Sequence, residues 1–229
     1  MREIVLDTET TGIDALNGDR VVEIGCVELL NHVSTGNHFH VYLNPERDMP
    51  AEAFAVHGLS TEFLSDKPLF SQKVGDFLEF IGDAQLVIHN ASFDMGFLNA
   101  ELARIGMKPL RNPVLDTVQV ARRRFPGAPA SLDALCRRFE IDNSNRTLHG
   151  ALLDAQLLAE VYLELMGGRQ PDLVLAGGPT NASGGAIVKV ERPFRPARPH
   201  APSAEELAAH EAFLKGFKAP PLWFGEKAG

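Results

Sequence analysis

The chain is poor in three things, and each shortage excludes something. It has two cysteines in 229 residues, Cys26 and Cys136. Two cysteines cannot build a disulfide framework, and neither sits in a metal-ligand spacing. No segment approaches the ~18 uninterrupted apolar residues of a membrane span. The start, Met1-Arg2-Glu3, leads into a short apolar run without the apolar core of a signal peptide. A cytoplasmic, reducing compartment is therefore expected. Positive charge is also short: 22 Lys and Arg face 30 Asp and Glu, for a formal net charge of -8. Such a chain is no electrostatic sleeve for duplex DNA, although metals and a few basic residues can hold nucleic acid locally.

What is present supports one sizeable domain with an appendage. Hydrophobic residues make up 45% of the chain, enough for a real core. Three strands are predicted first, Ile4 to Thr10, Arg20 to Leu30 and Asn37 to Leu43. Asn17-Gly18-Asp19 and Ser34-Thr35-Gly36 supply the turns between them. Connections this short imply antiparallel neighbours. Helical segments follow around Ala51 to Val56 and Gln72 to Ile81, then a buried strand at Gln85 to Ile88. A helix from about Phe93 to Ile105 takes Ser92 or Asn90 as its cap. Pro113 to Leu115 is a short strand leading into a helix through Arg124. Ser131 caps another helix to Phe139, and Gly150 to Met166 is the strongest helix in the chain. The order predicts an α/β fold, a mixed sheet with helices on its faces.

The pattern stops at Gly167-Gly168. From there to Ser203 the chain is rich in Gly, Pro, Ala and Asn and reads as a flexible linker. Lys189, Arg192, Arg195 and Arg198 make its second half basic, as a solvated linker or a nucleic-acid contact. Ser203 and Glu206 have capping-box spacing, so a short helix from Glu205 to Lys215 is expected. Leu207, Phe213, Leu214, Phe217 and Trp223 place apolar side chains in and after it, as a docking segment would.

Three separated clusters carry chemistry. Asp7 and Glu9 are two apart on a strand, so they leave the same face as Val5. Carboxylates that close repel unless a cation joins them, and hard oxygen ligands favour Mg²⁺ or Mn²⁺. A solvated strand end is the alternative. Asp94 falls in the first turn of its helix, where the dipole favours an acid by ~0.3–1 kcal/mol. That accounts for it as well as a ligand role does. Asp154 shares a helical stripe with Leu157, Leu158, Val161 and Leu165, where an unpaired carboxylate is costly. His149 would lie about 140° from Asp154 on a continuous helix. It is instead expected on the loop before Gly150, where an imidazole suits the role of general base near neutrality. A surface histidine is the bland alternative.

In chain order these stretches resemble the three exonuclease motifs of the DEDDh family of 3'→5' exonucleases. They are Asp7-Thr8-Glu9-Thr10-Thr11-Gly12, Asn90-Ala91-Ser92-Phe93-Asp94-Met95-Gly96-Phe97 and His149-Gly150-Ala151-Leu152-Leu153-Asp154-Ala155. The resemblance spans residues 1–168. It implies a ribonuclease-H-like, mixed five-stranded sheet with helices on both faces. It also implies two divalent ions, Mg²⁺ or Mn²⁺, held by Asp7, Glu9, Asp94 and Asp154, with His149 as the base. Thr10, Ile13, His57, Asn90 and Phe93 are the implied contacts to the terminal nucleotide of a frayed 3' end.

Within the family, Asp116-Thr117, Ser131 to Cys136 and Glu205 to Glu211 are similar to stretches of the proofreading subunits of bacterial replicative polymerases. Gln170-Pro171-Asp172-Leu173-Val174-Leu175 is similar to the peptide by which such subunits touch the sliding clamp, through Gln170, Leu173 and Leu175. It ends in Leu where Phe is commoner. The implied organisation is an exonuclease domain over 1–168, a linker with the clamp peptide over 169–203, and a polymerase-docking segment over 204–229. The implied partners are the polymerase catalytic subunit, the clamp and a small theta-like accessory subunit, at the replisome. Two other readings stay open: an RNA-trimming exoribonuclease of the same family, and a catalytically silent binding subunit.

Overall fold

The computed structural model describes residues 1–146, 148–168 and 201–216. The chain divides into two compact units, Met1–Gly177 and Gly178–Gly229. The first holds a five-stranded sheet in the order β3-β2-β1-β4-β5. Strands β1 (Arg2–Thr10), β2 (Val21–Leu30) and β3 (Val33–Tyr42) are successive antiparallel neighbours. Strand β4 (Gln85–Ile88) runs parallel to β1, and β5 (Val114–Asp116) parallel to β4. This is the mixed sheet that the order of segments predicts.

One turn differs from expectation. The β2–β3 connection is Asn31-His32, not Ser34-Thr35-Gly36. Both residues have positive φ, 52° and 67°. That is the backbone of the two-residue hairpin turns whose twist suits the flanking strands. Ser34, Thr35 and Gly36 belong to β3, where the ladder shifts register between Val27 and Leu29. Glu28 fills this irregularity, its Oε2 accepting from Thr35 Oγ1 and Asn37 Nδ2, both at 2.8 Å. Turn-forming residues here mark a bulge in the strand.

Helices α1 (Ala51–His57), α2 (Thr61–Leu64) and α3 (Phe70–Ile81) lie between β3 and β4. The short α2, capped by Ser60, lies outside the helical segments that the sequence predicts. Helix α4 (Ala91–Arg104) joins β4 to β5, and α5 (Thr117–Arg124), α6 (Leu132–Phe139) and α7 (Ala151–Leu165) follow. Two cores result. Ile4 and Leu6 of β1 pack with α3 and α4, whereas Val5 packs with α5, α6 and α7. The two-residue period of a strand thus carries Asp7 and Glu9 to the α7 side and Thr8 to the α4 side.

A buried ion pair fixes α4. Glu101 is 1% exposed and takes a two-pronged contact from Arg20, Nε to Oε1 at 2.7 Å and Nη2 to Oε2 at 3.0 Å. Arg104 Nη1 adds a third bond at 3.1 Å. Such charge-assisted forks are geometrically specific, so α4 is tied in register to the start of β2.

The described part of the second unit is helix α8 (Ala204–Leu214) with its flanks. It has the expected capping box between Ser203 and Glu206 and no buried residue. Among the described residues no helix is long and apolar enough to cross a membrane.

Candidate active site

Neighbouring parallel strands β1 and β4 send their chains away at the same edge of the sheet, a place where α/β folds commonly form a crevice. A cavity of ≈ 720 Å³ opens there. Asp7, Glu9, Asp94, His149 and Asp154 all line it, and so do Thr10, Ile13, His57, Asn90 and Phe93. Three clusters far apart in sequence therefore meet around one space.

Each carboxylate has a local reason for its position. Asp94 lies in the first turn of α4 and is 3% exposed, and its Oδ1 accepts from Thr8 Oγ1 at 2.8 Å. Asp154 lies in the first turn of α7 and is also 3% exposed. Helix α7 comes close because β2 has Gly25 beneath it. A Cβ on Gly25 would stand 2.3 Å from the Ala151 carbonyl carbon and the Leu152 nitrogen. Asn90 precedes α4 in a left-handed conformation, φ 65°, and makes no side-chain cap. Its N–H instead donates to Asp116 Oδ1 at 3.2 Å. Of the two expected caps the structure uses Asn90, though not by its side chain.

The electrostatics are those of crowded acids. Burial pushes the Glu9 carboxyl up to about 8, with Asp154, Glu23 and Asp94 adding to the rise. Burial likewise drives Asp7 well above the carboxylate range, helped by the charges of Asp94, Glu9 and Asp154. Asp94 is raised by burial too, against the bond from Thr8. Glu9, His149 and Asp154 each bring one ligand atom within 4.8 Å of the others. His149 is exposed at the rim, and its backbone N–H donates to Val56 O at 3.0 Å. His57 is buried, its Nδ1 accepts from Leu59 N–H at 3.0 Å, and burial lowers its pKa.

Three features of the site escape sequence reasoning. Arg146 reaches into the cavity and pairs with Asp154, Nε to Oδ1 at 2.5 Å and Nη2 to Oδ2 at 2.7 Å. A basic residue three positions before His149 was the available signal. Glu23 lies directly opposite Glu9 on β2, is buried, and contacts His40 Nε2 at 2.7 Å. Glu52 and His89 also line the cavity. Of the docking residues, Leu207 and Phe213 are exposed and Leu214 half-buried on α8. Phe217 and Trp223, with the clamp-peptide residues Gln170, Leu173 and Leu175, lie outside the described residues.

Comparison with known proteins agrees with this geometry. Residues 4–162 match the RNase_T family, described as Exonuclease. The DNA polymerase III subunit epsilon of Rickettsia prowazekii (strain Madrid E) is 51% identical over 219 residues, 93% of this chain and 96% of that protein. That of Escherichia coli (strain K12) is 49% identical over 223 residues, covering 93% and 92%. Among solved structures, Exonuclease X in complex with 5' overhanging duplex DNA has a TM-score of 0.58 at 25% identity, covering 72% of this chain and 90% of that one. The nuclease domain of 3'hExo, a DEDDh family member bound to rAMP, has a TM-score of 0.63 over 72% and 91% of the two chains. Its 16% identity makes that a likeness of fold. The chain belongs to the RNase_T exonuclease family and, within it, to the epsilon subunits of DNA polymerase III.

Proposed function

We propose that this chain, a metal-dependent 3'→5' exonuclease, proofreads for the replicative DNA polymerase by hydrolysing the last phosphodiester of a frayed 3' end. The products are a nucleoside 5'-monophosphate and a strand one nucleotide shorter. The observation that carries the reading is the meeting of Asp7, Glu9, Asp94 and Asp154 around one cavity, with Asp7, Glu9 and Asp94 pushed up by burial and the first two also by their acidic neighbours. Four carboxylates against one arginine, Arg146, leave the site short of positive charge, which multivalent cations supply.

The donor set fits such ions. Four carboxylates offer the hard oxygen ligands that suit Mg²⁺ or Mn²⁺. Asp7, Glu9, Asp94 and Asp154 would hold two of them. When bound, the ions supply Lewis-acid stabilisation of the attacking and leaving oxygens. His149, exposed at the rim near Glu9 and Asp154, takes the proton of the attacking water. Ile13, 88% exposed, and Phe93 offer apolar surface to the terminal nucleoside, while Thr10, Asn90 and the buried His57 line the same space. Mispaired ends leave the duplex at lower cost, so fraying supplies the selectivity without base-specific readout.

The organisation proposed with it is a nuclease in residues 1–168, a linker over 169–203 and a docking segment over 204–229. Leu207, Phe213, Leu214, Phe217 and Trp223 would engage the polymerase catalytic subunit. Gln170, Leu173 and Leu175 would touch the sliding clamp. A theta-like accessory subunit would sit on the nuclease, and the whole would act in the cytoplasm at the replisome. The experiment is an exonuclease assay on matched and 3'-mispaired DNA and on matched RNA, with Mg²⁺ and with Mn²⁺, beside a pull-down with the polymerase subunit. Faster release of mononucleotides from the mispaired DNA is expected. Preference for RNA would favour RNA trimming, and no release with either metal a silent subunit.

A further inference from the structure

Both oxygens of Asp154 already have a partner, in a planar fork from Arg146. The same guanidinium has two more contacts. Its Nη2 donates to His149 Nδ1 at 3.1 Å, and its Nη1 donates to Asp133 Oδ1 at 2.9 Å. The Arg146 side chain is 8% exposed, whereas that of Asp133 is 47% exposed. Asp133, at the start of α6, also accepts from Asn143 Nδ2 at 3.1 Å. Arg146 therefore lies between a buried carboxylate that faces the cavity and a half-exposed one outside it.

We propose that Arg146 is the resident counter-cation of the site, a positioning residue that holds Asp154 and His149 until a divalent ion displaces it, and that Asp133 is the seat to which it withdraws. This rests on the assignment of Asp154 as a metal ligand made above. The argument is one of competing charges. A fixed guanidinium across both Asp154 oxygens occupies the atoms that an ion must use, and its charge repels that ion. Without it, a buried carboxylate beside Asp7, Glu9 and Asp94 would lack compensation, which is the costly arrangement. The contact to His149 adds a second consequence. An Nδ1 that accepts from Arg146 leaves the hydrogen of the neutral ring on Nε2. One side chain thus occupies a metal ligand and the general base together, and releases both together.

Asp133 makes the exchange short. It already holds Nη1, so Arg146 need only give up Asp154 and His149 to remain paired. Loss of Arg146 should tighten metal binding, and loss of Asp133 should weaken it, because the guanidinium then has one carboxylate instead of two.

The test is calorimetric titration of the full chain with Mn²⁺ alone, without nucleic acid. Arg146→Gln should bind Mn²⁺ about 3- to 100-fold tighter than the wild type, the range over which contacting charged groups couple. Asp133→Asn should bind it more weakly in the wild-type background and make no difference in the Arg146→Gln background. That second result separates a role through Arg146 from the mere loss of a nearby negative charge. Should Arg146→Gln fail to fold, Arg146→Lys keeps the charge, loses the planar fork and should still bind more tightly. Unchanged or weaker binding by the arginine variants, or equal weakening by Asp133→Asn in both backgrounds, overturns the proposal. Asp154→Ala distinguishes the underlying reading. If it binds Mn²⁺ as the wild type does, the metal assignment falls and the proposal with it. If it loses binding while the arginine variants are unchanged, only the role of Arg146 falls.

Discussion

Asp7 on β1 and Gly25 on β2 are direct partners in the antiparallel ladder, and the missing side chain at Gly25 is what lets the first turn of α7 lie on the sheet beside Asp7. The relationship joins two sequence motifs through a residue in neither. Asp7 belongs to the first strand and Asp154 to the first turn of α7, and their separation depends on how closely Ala151 and Leu152 approach β2. A glycine within a strand ordinarily weakens it, and a close backbone approach is the usual reason to find one there.

Gly25→Ala should therefore damage the site more than the fold. The added Cβ meets backbone, which cannot swing aside as a flexible side chain can. We expect a loss of ~1–3 kcal/mol in stability, as for overpacked cores. Nuclease activity should fall by about 10- to 100-fold, because a shift of ~1 Å in a reacting geometry has that effect. Urea unfolding and the rate on single-stranded DNA measure the two. A variant with normal activity would show that α7 tolerates displacement.

His149→Ala should separate base from ligand. Loss of a general base typically lowers the rate by ~10²–10⁴-fold and need not remove the metal. Mn²⁺ affinity should stay near the wild-type value while turnover falls. A parallel collapse of Mn²⁺ binding would make His149 a ligand.

The raised carboxyls predict how stability depends on pH. Glu9 titrates at about 8 in the folded chain, chiefly through burial, and Asp7 and Asp94 are shifted in the same direction. Unfolded, such groups titrate near ~4. Between these limits the folded chain binds more protons, so this cluster's stabilisation is full at low pH and is lost as pH rises through about 8. The melting temperature of the metal-free protein should therefore decline on going from about pH 5.5 to 8.5 more steeply than in Asp7→Asn. Equal slopes would contradict the shifts. Mn²⁺ binding near neutrality should release protons, which calorimetry in buffers of different ionisation enthalpy detects.

A chain ending at Gly168 keeps the sheet, α7 and every proposed catalytic residue. It should degrade free single-stranded DNA about as well as the full chain, but should not bind the polymerase subunit. In the full chain a flexible linker would hold the nuclease near the primer at an effective concentration that can reach ~mM. Trp223, the single tryptophan, should shift to shorter emission wavelength when the polymerase subunit is added to the full chain. Full binding by the shortened chain would remove the tail as the docking element.

Much of this was legible in the residues because periodicity and polarity speak for local structure. Alternation along β1 put Asp7 and Glu9 on the Val5 face, and the apolar stripe of α7 put Asp154 against the core. What was illegible depends on partners distant in sequence or on backbone conformation. Ser34-Thr35-Gly36 has turn chemistry, yet Asn31 and His32 take the positive φ values and Glu28 absorbs the other residues into β3. The need for glycine at 25 comes from the approach of Ala151, more than a hundred residues away in the chain. The place of Arg146 three residues before His149 is the one local hint, and its turn inward onto Asp154 depends on the folded loop.

The most direct test of the central claim is the rate of Mg²⁺-dependent mononucleotide release from the 3' end of single-stranded DNA by Asp7→Ala and Asp154→Ala. Asp7→Ala removes a proposed metal ligand and relieves carboxylate repulsion, whereas Asp154→Ala removes another and leaves Arg146 paired with Asp133. The account predicts that both variants stay folded by circular dichroism and lose release to background. Release at near the wild-type rate by either folded variant would contradict the assignment of this cavity as the metal-dependent active site.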